Sequence, residues 1–130
     1  DNAQAAAHWQ ALRDQQLPWF DTGANALWRL SVPQTASAIA WGDGDAPLVE
    51  WHGGQRWYQA PPAQAARIRE AARTAGGHAT LFRMPAGHAA DSRVPRFDAL
   101  SAPVARIHQA LMHEFDPHRI FDRARLLAGA

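Results

Sequence analysis

The chain has 130 residues, 47% hydrophobic and 19% charged, with a formal net charge of +1. This balance fits one globular domain around one core and excludes a disordered chain. Its 13 basic residues are all arginine and are interspersed with acids, which excludes a basic nucleic-acid stripe, while the absence of cysteine excludes disulfides and thiolate chemistry and fits a reducing cytoplasm.

Ala3 to Gln16 reads as a helix, with Trp9 and Leu12 as its core contacts. Leu17-Pro18 ends it, because a residue before proline avoids the α region. A turn over 21–25 leads to Ala26-Leu27-Trp28-Arg29-Leu30-Ser31-Val32, which alternates as a strand does and stops at Pro33. Ala38 to Trp41 is a second expected strand, and Gly42 to Asp45 a turn. Leu48–Trp51 and Gln55–Gln59 flank His52-Gly53-Gly54, the clearest hairpin signal in the chain. On that hairpin Arg56 is expected over the Trp51 indole.

Pro61-Pro62 opens a helix through Ala75, with Ala65, Ile68, Ala72 and Ala75 on one face. Gly76-Gly77 stops it. His78 to Arg83 is a further strand, and 85–96 a polar loop. Ser101 caps a last helix from Ala102 to about Glu114, whose stripe of Val104, Ile107, Leu111 and Phe115 is expected against the sheet. Short connections between grouped strands predict an α+β fold with an antiparallel sheet and helices on one face. No apolar run approaches the ~18 residues of a membrane-spanning helix.

Metal chemistry finds little support. The seven histidines, His8, His52, His78, His88, His108, His113 and His118, show no compact ligand spacing. Asp43 and Asp45 read as turn residues, since no downstream glutamate completes a calcium loop. Neither Gly53-Gly54 nor Gly76-Gly77 belongs to a phosphate-cradling strand–GxGxxG–helix unit. Trp28, Trp41, Trp51 and Trp57 fall in expected strands, where packing is their ordinary role.

Arg29 is the sharpest candidate. Period two puts Trp28, Leu30 and Val32 on one sheet face and Leu27, Arg29 and Ser31 on the other. An arginine in mid-strand needs a wet or paired face. Two readings stand side by side: an ion pair with Glu50, or a guanidinium that grips a substrate carboxylate bidentately. Alternation also puts His78 and Thr80 on one face of their strand. Arg56 and Arg83 are the other arginines with a case.

Four segments in order carry a resemblance: 26–32, 51–57, 76–83, and Phe115-Asp116-Pro117-His118-Arg119-Ile120-Phe121-Asp122. Together they resemble the C-terminal part of the FAD-binding subunit of bacterial glycolate oxidase, in the FAD-linked oxidase family related to vanillyl-alcohol oxidase. The resemblance runs from about Trp9 to Leu126. It implies one C-terminal cap domain over 1–130, with an antiparallel, ferredoxin-like sheet over the flavin and the FAD-binding domain outside this sequence. FAD is then expected in the full-length protein and none in these residues. The implied partners are the chain's own FAD-binding domain and the D-type flavin and F-type iron–sulfur subunits, in the cytoplasm or peripheral at the inner membrane. Arg29 and His78 become the expected substrate-binding residues, and assembly without catalysis is the alternative role. Asp122-Arg123-Ala124 stands where the family has Asn-Pro-Gly, which removes a rigid turn from the tail.

Overall fold

The computed structural model describes residues 1–39, 46–85, 87 and 94–121. Along the chain come α1 (Asn2–Arg13), β1 (Ala26–Ser31), β2 (Leu48–Glu50), β3 (Gln55–Ala60), α2 (Ala65–Thr74), β4 (His78–Arg83) and α3 (Ala102–Phe115). The strands form one antiparallel sheet in the order β2-β3-β1-β4. β3 and β4 both run antiparallel to β1, so they are parallel to each other, and α2 is the crossover between them. This is the split β-α-β arrangement of ferredoxin-like sheets. The α+β expectation with an antiparallel sheet is met.

The main core lies between the sheet and α2. Ala26, Trp28, Leu30 and Val32 from the β1 segment meet Tyr58 and Ala60 of β3, Ala79 and Leu81 of β4, and Ile68 and Ala72 of α2. Ala65 and Ala75 pack at its margin, so all four residues of the expected α2 face contribute. The Trp28 indole N–H donates to the Ala60 carbonyl at 3.2 Å, which satisfies its one polar atom inside the core. Gly76, at φ 80°, ends α2 in the left-handed conformation. The Gly77 N–H then donates to the Ala72 carbonyl at 2.8 Å. At Gly77 a Cβ would stand 1.9 Å from the Ser31 carbonyl oxygen, so only glycine fits where α2 turns back onto β1.

Several expectations change. α1 ends at Arg13, not Gln16, because Gln15 adopts φ 55° and Gln16 N–H reaches back to the Ala11 carbonyl. Trp9 is largely exposed, and only Leu12 of the two expected contacts packs against a core cluster. Ala38 and Ile39 are not in a strand. The carbonyls just before them, of Ala36 and Ser37, accept from the Arg56 guanidinium and are unavailable to a ladder. Trp41 and the 42–45 turn lie outside the described residues, as do most of the 85–96 loop and the tail from Asp122.

The hairpin forms with Leu48 opposite Trp57 and Glu50 opposite Gln55. Its connection is a 3₁₀ turn over Trp51–Gly53, with Trp51, His52 and Gly53 all at positive φ. Gly53 thus supplies the expected freedom, but Gly54 does not, and Trp51 sits exposed in the turn rather than in a strand. Arg56 is buried on the α2 side and holds backbone carbonyls, so it does not cover the Trp51 indole. Ser101 takes the N-cap position of α3, but its hydroxyl makes no capping bond. The stripe of α3 is exposed, with no residue of that helix buried.

Candidate functional site

The sheet face away from α2 has two unlike halves. At one end Leu27 and Trp57 pack with Phe20, and Leu12, Leu17, Trp19 and Leu48 close around them. Pro18–Phe20 forms a short 3₁₀ turn that lies over this end. Polar side chains pin it there. Arg83 donates to the Phe20 carbonyl at 2.9 Å and to the Gln15 amide oxygen at 3.1 Å, and the Gln59 amide donates to the Trp19 carbonyl. This half is therefore a second small core, built around the Leu27 that alternation placed on the Arg29 face.

The other half carries Arg29, Ser31, His78 and Thr80. In the register, Arg29 stands between Trp57 on β3 and Thr80 on β4, and Ser31 stands opposite His78. Arg29 and His78 are thus diagonal neighbours on adjacent strands, at a Cα spacing of about 7–8 Å. His78 is exposed, Arg29 is half-buried, and Thr80 is only 8% exposed. The Arg29 Cζ lies 5.7 Å from the Phe82 ring centroid, and Phe82 meets Trp57 edge-on at 4.9 Å. The Phe82 ring thus lies at a cation–π distance from the guanidinium, an attraction of about 0.5–1 kcal/mol at such a site.

The ion-pair reading of Arg29 fails among the described residues, where no carboxylate pairs with it. Glu50 instead accepts from the Trp57 indole N–H at 2.5 Å and from the Gln55 amide at 2.8 Å. Arg56 donates to three backbone carbonyls, and Arg83 to one backbone carbonyl and one amide oxygen. Of the three arginines singled out, Arg29 alone keeps its N–H groups without a hydrogen-bonded partner among the described residues. Five donors aimed from a half-buried, aromatic-backed stem can bind a planar anion bidentately. The His78 ring and Thr80 hydroxyl add hydrogen-bonding groups on the same strand face.

Metal chemistry gains nothing: no group of three or more ligand-type side chains gathers among the described residues. His8, His52, His108, His113 and His118 are exposed like His78, while His88, Asp43 and Asp45 lie outside the described residues. Of the strand tryptophans, Trp28 and Trp57 are core and Trp51 is exposed. Burial pushes the Tyr58 hydroxyl above its ordinary range, with the nearby Arg56 charge opposing in part.

Sequence reasoning missed one cluster. Arg69 of α2 donates to the Pro95 carbonyl, lies 3.9 Å from the Asp98 carboxylate, and sits 5.8 Å from the Trp28 ring centroid. Arg73 reaches the same Asp98 at 3.3 Å. These contacts tie the 95–98 segment to α2 and are structural. Only the placement of two arginines one turn apart could have hinted at a shared acid.

No family model matches the chain, and no solved structure does. The glycolate oxidase subunit GlcE of Escherichia coli (strain K12) is 39% identical over 127 residues, which cover 95% of this chain and 32% of that protein. The chain therefore spans about a third of the length of the relative it matches.

Proposed function

We propose, from the premise that this chain is a homologue of a segment of a glycolate oxidase subunit, that it forms the cap and substrate side of an FAD-dependent 2-hydroxy-acid oxidoreductase. Arg29 grips the carboxylate of glycolate or a similar acid. His78 donates to that carboxylate or to the substrate hydroxyl. The observation that carries this reading is the Arg29 guanidinium, which has no hydrogen-bonded partner among the described residues, on the sheet face away from α2, beside Thr80 and diagonal to His78.

FAD binding belongs to the rest of the polypeptide in this reading. Three of the four paired-glycine amides are committed here: Gly54, Gly76 and Gly77 donate to the carbonyls of Trp51, Arg73 and Ala72. These residues do not fit a flavin phosphate site, so the part assigned to this chain is to bind and orient the acid. Its partners are the FAD-binding part of its own polypeptide and the other flavin and iron–sulfur subunits of the complex. Among the described residues no helix is long and apolar enough to cross a membrane. The proposed location is the cytoplasm, with peripheral attachment to the inner membrane through the complex.

A second role, assembly without catalysis, draws support from the exposed apolar stripe of α3. Anaerobic addition of glycolate to the purified full-length protein separates the two. Bleaching of a bound flavin supports the catalytic role. A flavin that glycolate leaves oxidised supports assembly alone, and a full-length protein without flavin rejects the oxidoreductase reading.

A further inference from the structure

The two buried indoles of the sheet are satisfied in different ways. Trp28, under α2, gives its N–H to a backbone carbonyl. Trp57, on the opposite face, gives its N–H to the Glu50 carboxylate at 2.5 Å. Gln55, directly across from Glu50, donates its amide to the same oxygen at 2.8 Å. No arginine pairs with Glu50 among the described residues, so its carboxylate serves these two neutral donors. A hydrogen bond to a carboxylate is roughly twice as strong as one between neutral groups, so it holds the indole more firmly than a carbonyl would.

The Trp57 ring passes that orientation on. It meets Phe20 edge-on at 6.0 Å and Phe82 edge-on at 4.9 Å. Phe82 is 38% exposed, so no closed core fixes its ring. Its backbone is held from the outer edge of β4, where the Phe82 carbonyl accepts from Arg96 and the Leu81 N–H donates to the Arg96 carbonyl. The ring in turn lies 5.7 Å from the Arg29 Cζ. Glu50 of β2, Trp57 of β3, Phe82 of β4 and Arg29 of β1 thus form one contiguous set across all four strands.

We propose that Glu50 is a positioning residue for the Arg29 site. Its carboxylate sets the Trp57 ring, and through Phe82 that ring sets where the guanidinium points. The inference rests on the reading of Arg29 as a carboxylate clamp, and it adds a residue that acts without touching the substrate. A two-pronged clamp needs such support, because a guanidinium turned out of the plane of its anion loses one of two parallel hydrogen bonds.

A double-mutant cycle in the flavin-loaded full-length protein tests it. Glu50→Ala should raise KM for glycolate about five- to tenfold with kcat within about twofold, since a misaligned clamp weakens ground-state and transition-state binding alike. Glu50→Gln keeps an acceptor oxygen for the indole and should bring KM back to within about threefold of the unsubstituted protein. In an Arg29→Ala background, Glu50→Ala should change kcat/KM by less than about twofold, because nothing is left to position. Falls that add would mark Glu50 as a structural residue and overturn the inference. So would an unchanged KM in Glu50→Ala beside a lowered kcat/KM in Arg29→Ala, a result that leaves the clamp standing. Unchanged kcat/KM in Arg29→Ala, or a full-length protein that leaves glycolate unoxidised, would remove the clamp and the inference with it. Trp57→Phe breaks the same hydrogen bond from the donor side and keeps an aromatic ring. It takes the place of Glu50→Ala in the cycle, with the same expected results, if that variant does not load flavin.

Discussion

α2 buries Ile68 and Ala72 against the sheet, whereas α3, with 14 residues against 10, buries none of its side chains. Both helices show an apolar stripe at helical spacing. The difference lies in how each is tethered. α2 is held between β3 and β4 by short connections, Pro61–Gln64 before it and Ala75–Gly77 after it, so its stripe falls on the sheet. α3 follows the long 84–101 connection and has no strand after it among the described residues. An apolar stripe states that a helix needs a partner; the connections decide whether the partner is the nearest sheet.

The comparison can be broken by substitution, and the α2 side should give the large effects. Trp28→Ala should cost about 3–5 kcal/mol, because it empties the centre of the α2-side core and orphans the Ala60 carbonyl from its indole partner. Thermal unfolding of the 130-residue chain checks it. Gly77→Ala should cost about 2–3 kcal/mol by the same measurement, since the added Cβ runs into the Ser31 carbonyl and backbone must move. Gly76→Ala should cost about 1 kcal/mol, from the left-handed φ alone, because only the Pro33 ring lies near and at 3.5 Å or more. On the α3 side Leu111→Ala should stay within about 0.5 kcal/mol in the 130-residue chain. A loss of several kcal/mol there would restore α3 to the core and erase the contrast.

A titration sharpens the α2 side further. Tyr58 is the one tyrosine of the chain, and burial raises the pKa of its hydroxyl above the ordinary tyrosine range. The folded state therefore holds the proton more tightly than the unfolded state. Stability from this group is complete below the unfolded value and declines as pH rises through the folded one. Tyrosinate absorbance should appear at higher pH in the folded chain than in denaturant; coincident titrations would show that Tyr58 is not in the core.

Much of the α2 side was legible in the sequence. The alternation over 26–32 separated Trp28 and Leu30 from Arg29, and the Gly76-Gly77 stop fell where the left-handed φ is needed. The hairpin was legible too, but not its register, because Trp51 joined the turn and left Glu50 opposite Gln55. Less of the other sheet face could be read. Leu17-Pro18 marked a helix end, but nothing local said that Trp19 and Phe20 would fold back over Leu27 and Trp57. Arg56 and Arg29 looked alike in sequence, each an arginine beside a tryptophan in a strand. Only tertiary placement separated a guanidinium wrapped around three backbone carbonyls from one left without a hydrogen-bonded partner among the described residues. Trp9 and the α3 stripe misled for one reason: periodicity records a need for burial and is silent on what meets it.

Whether Arg29 holds the substrate carboxylate is read by steady-state kinetics of the full-length protein carrying Arg29→Ala. A lost bidentate, charge-assisted contact of about 1.5–3 kcal/mol corresponds to a fall in kcat/KM for glycolate of about 10- to 150-fold. That fall should come with flavin content unchanged and with only partial recovery in Arg29→Lys, whose point charge cannot fork. Unaltered kcat/KM in a flavin-loaded Arg29→Ala protein would contradict it.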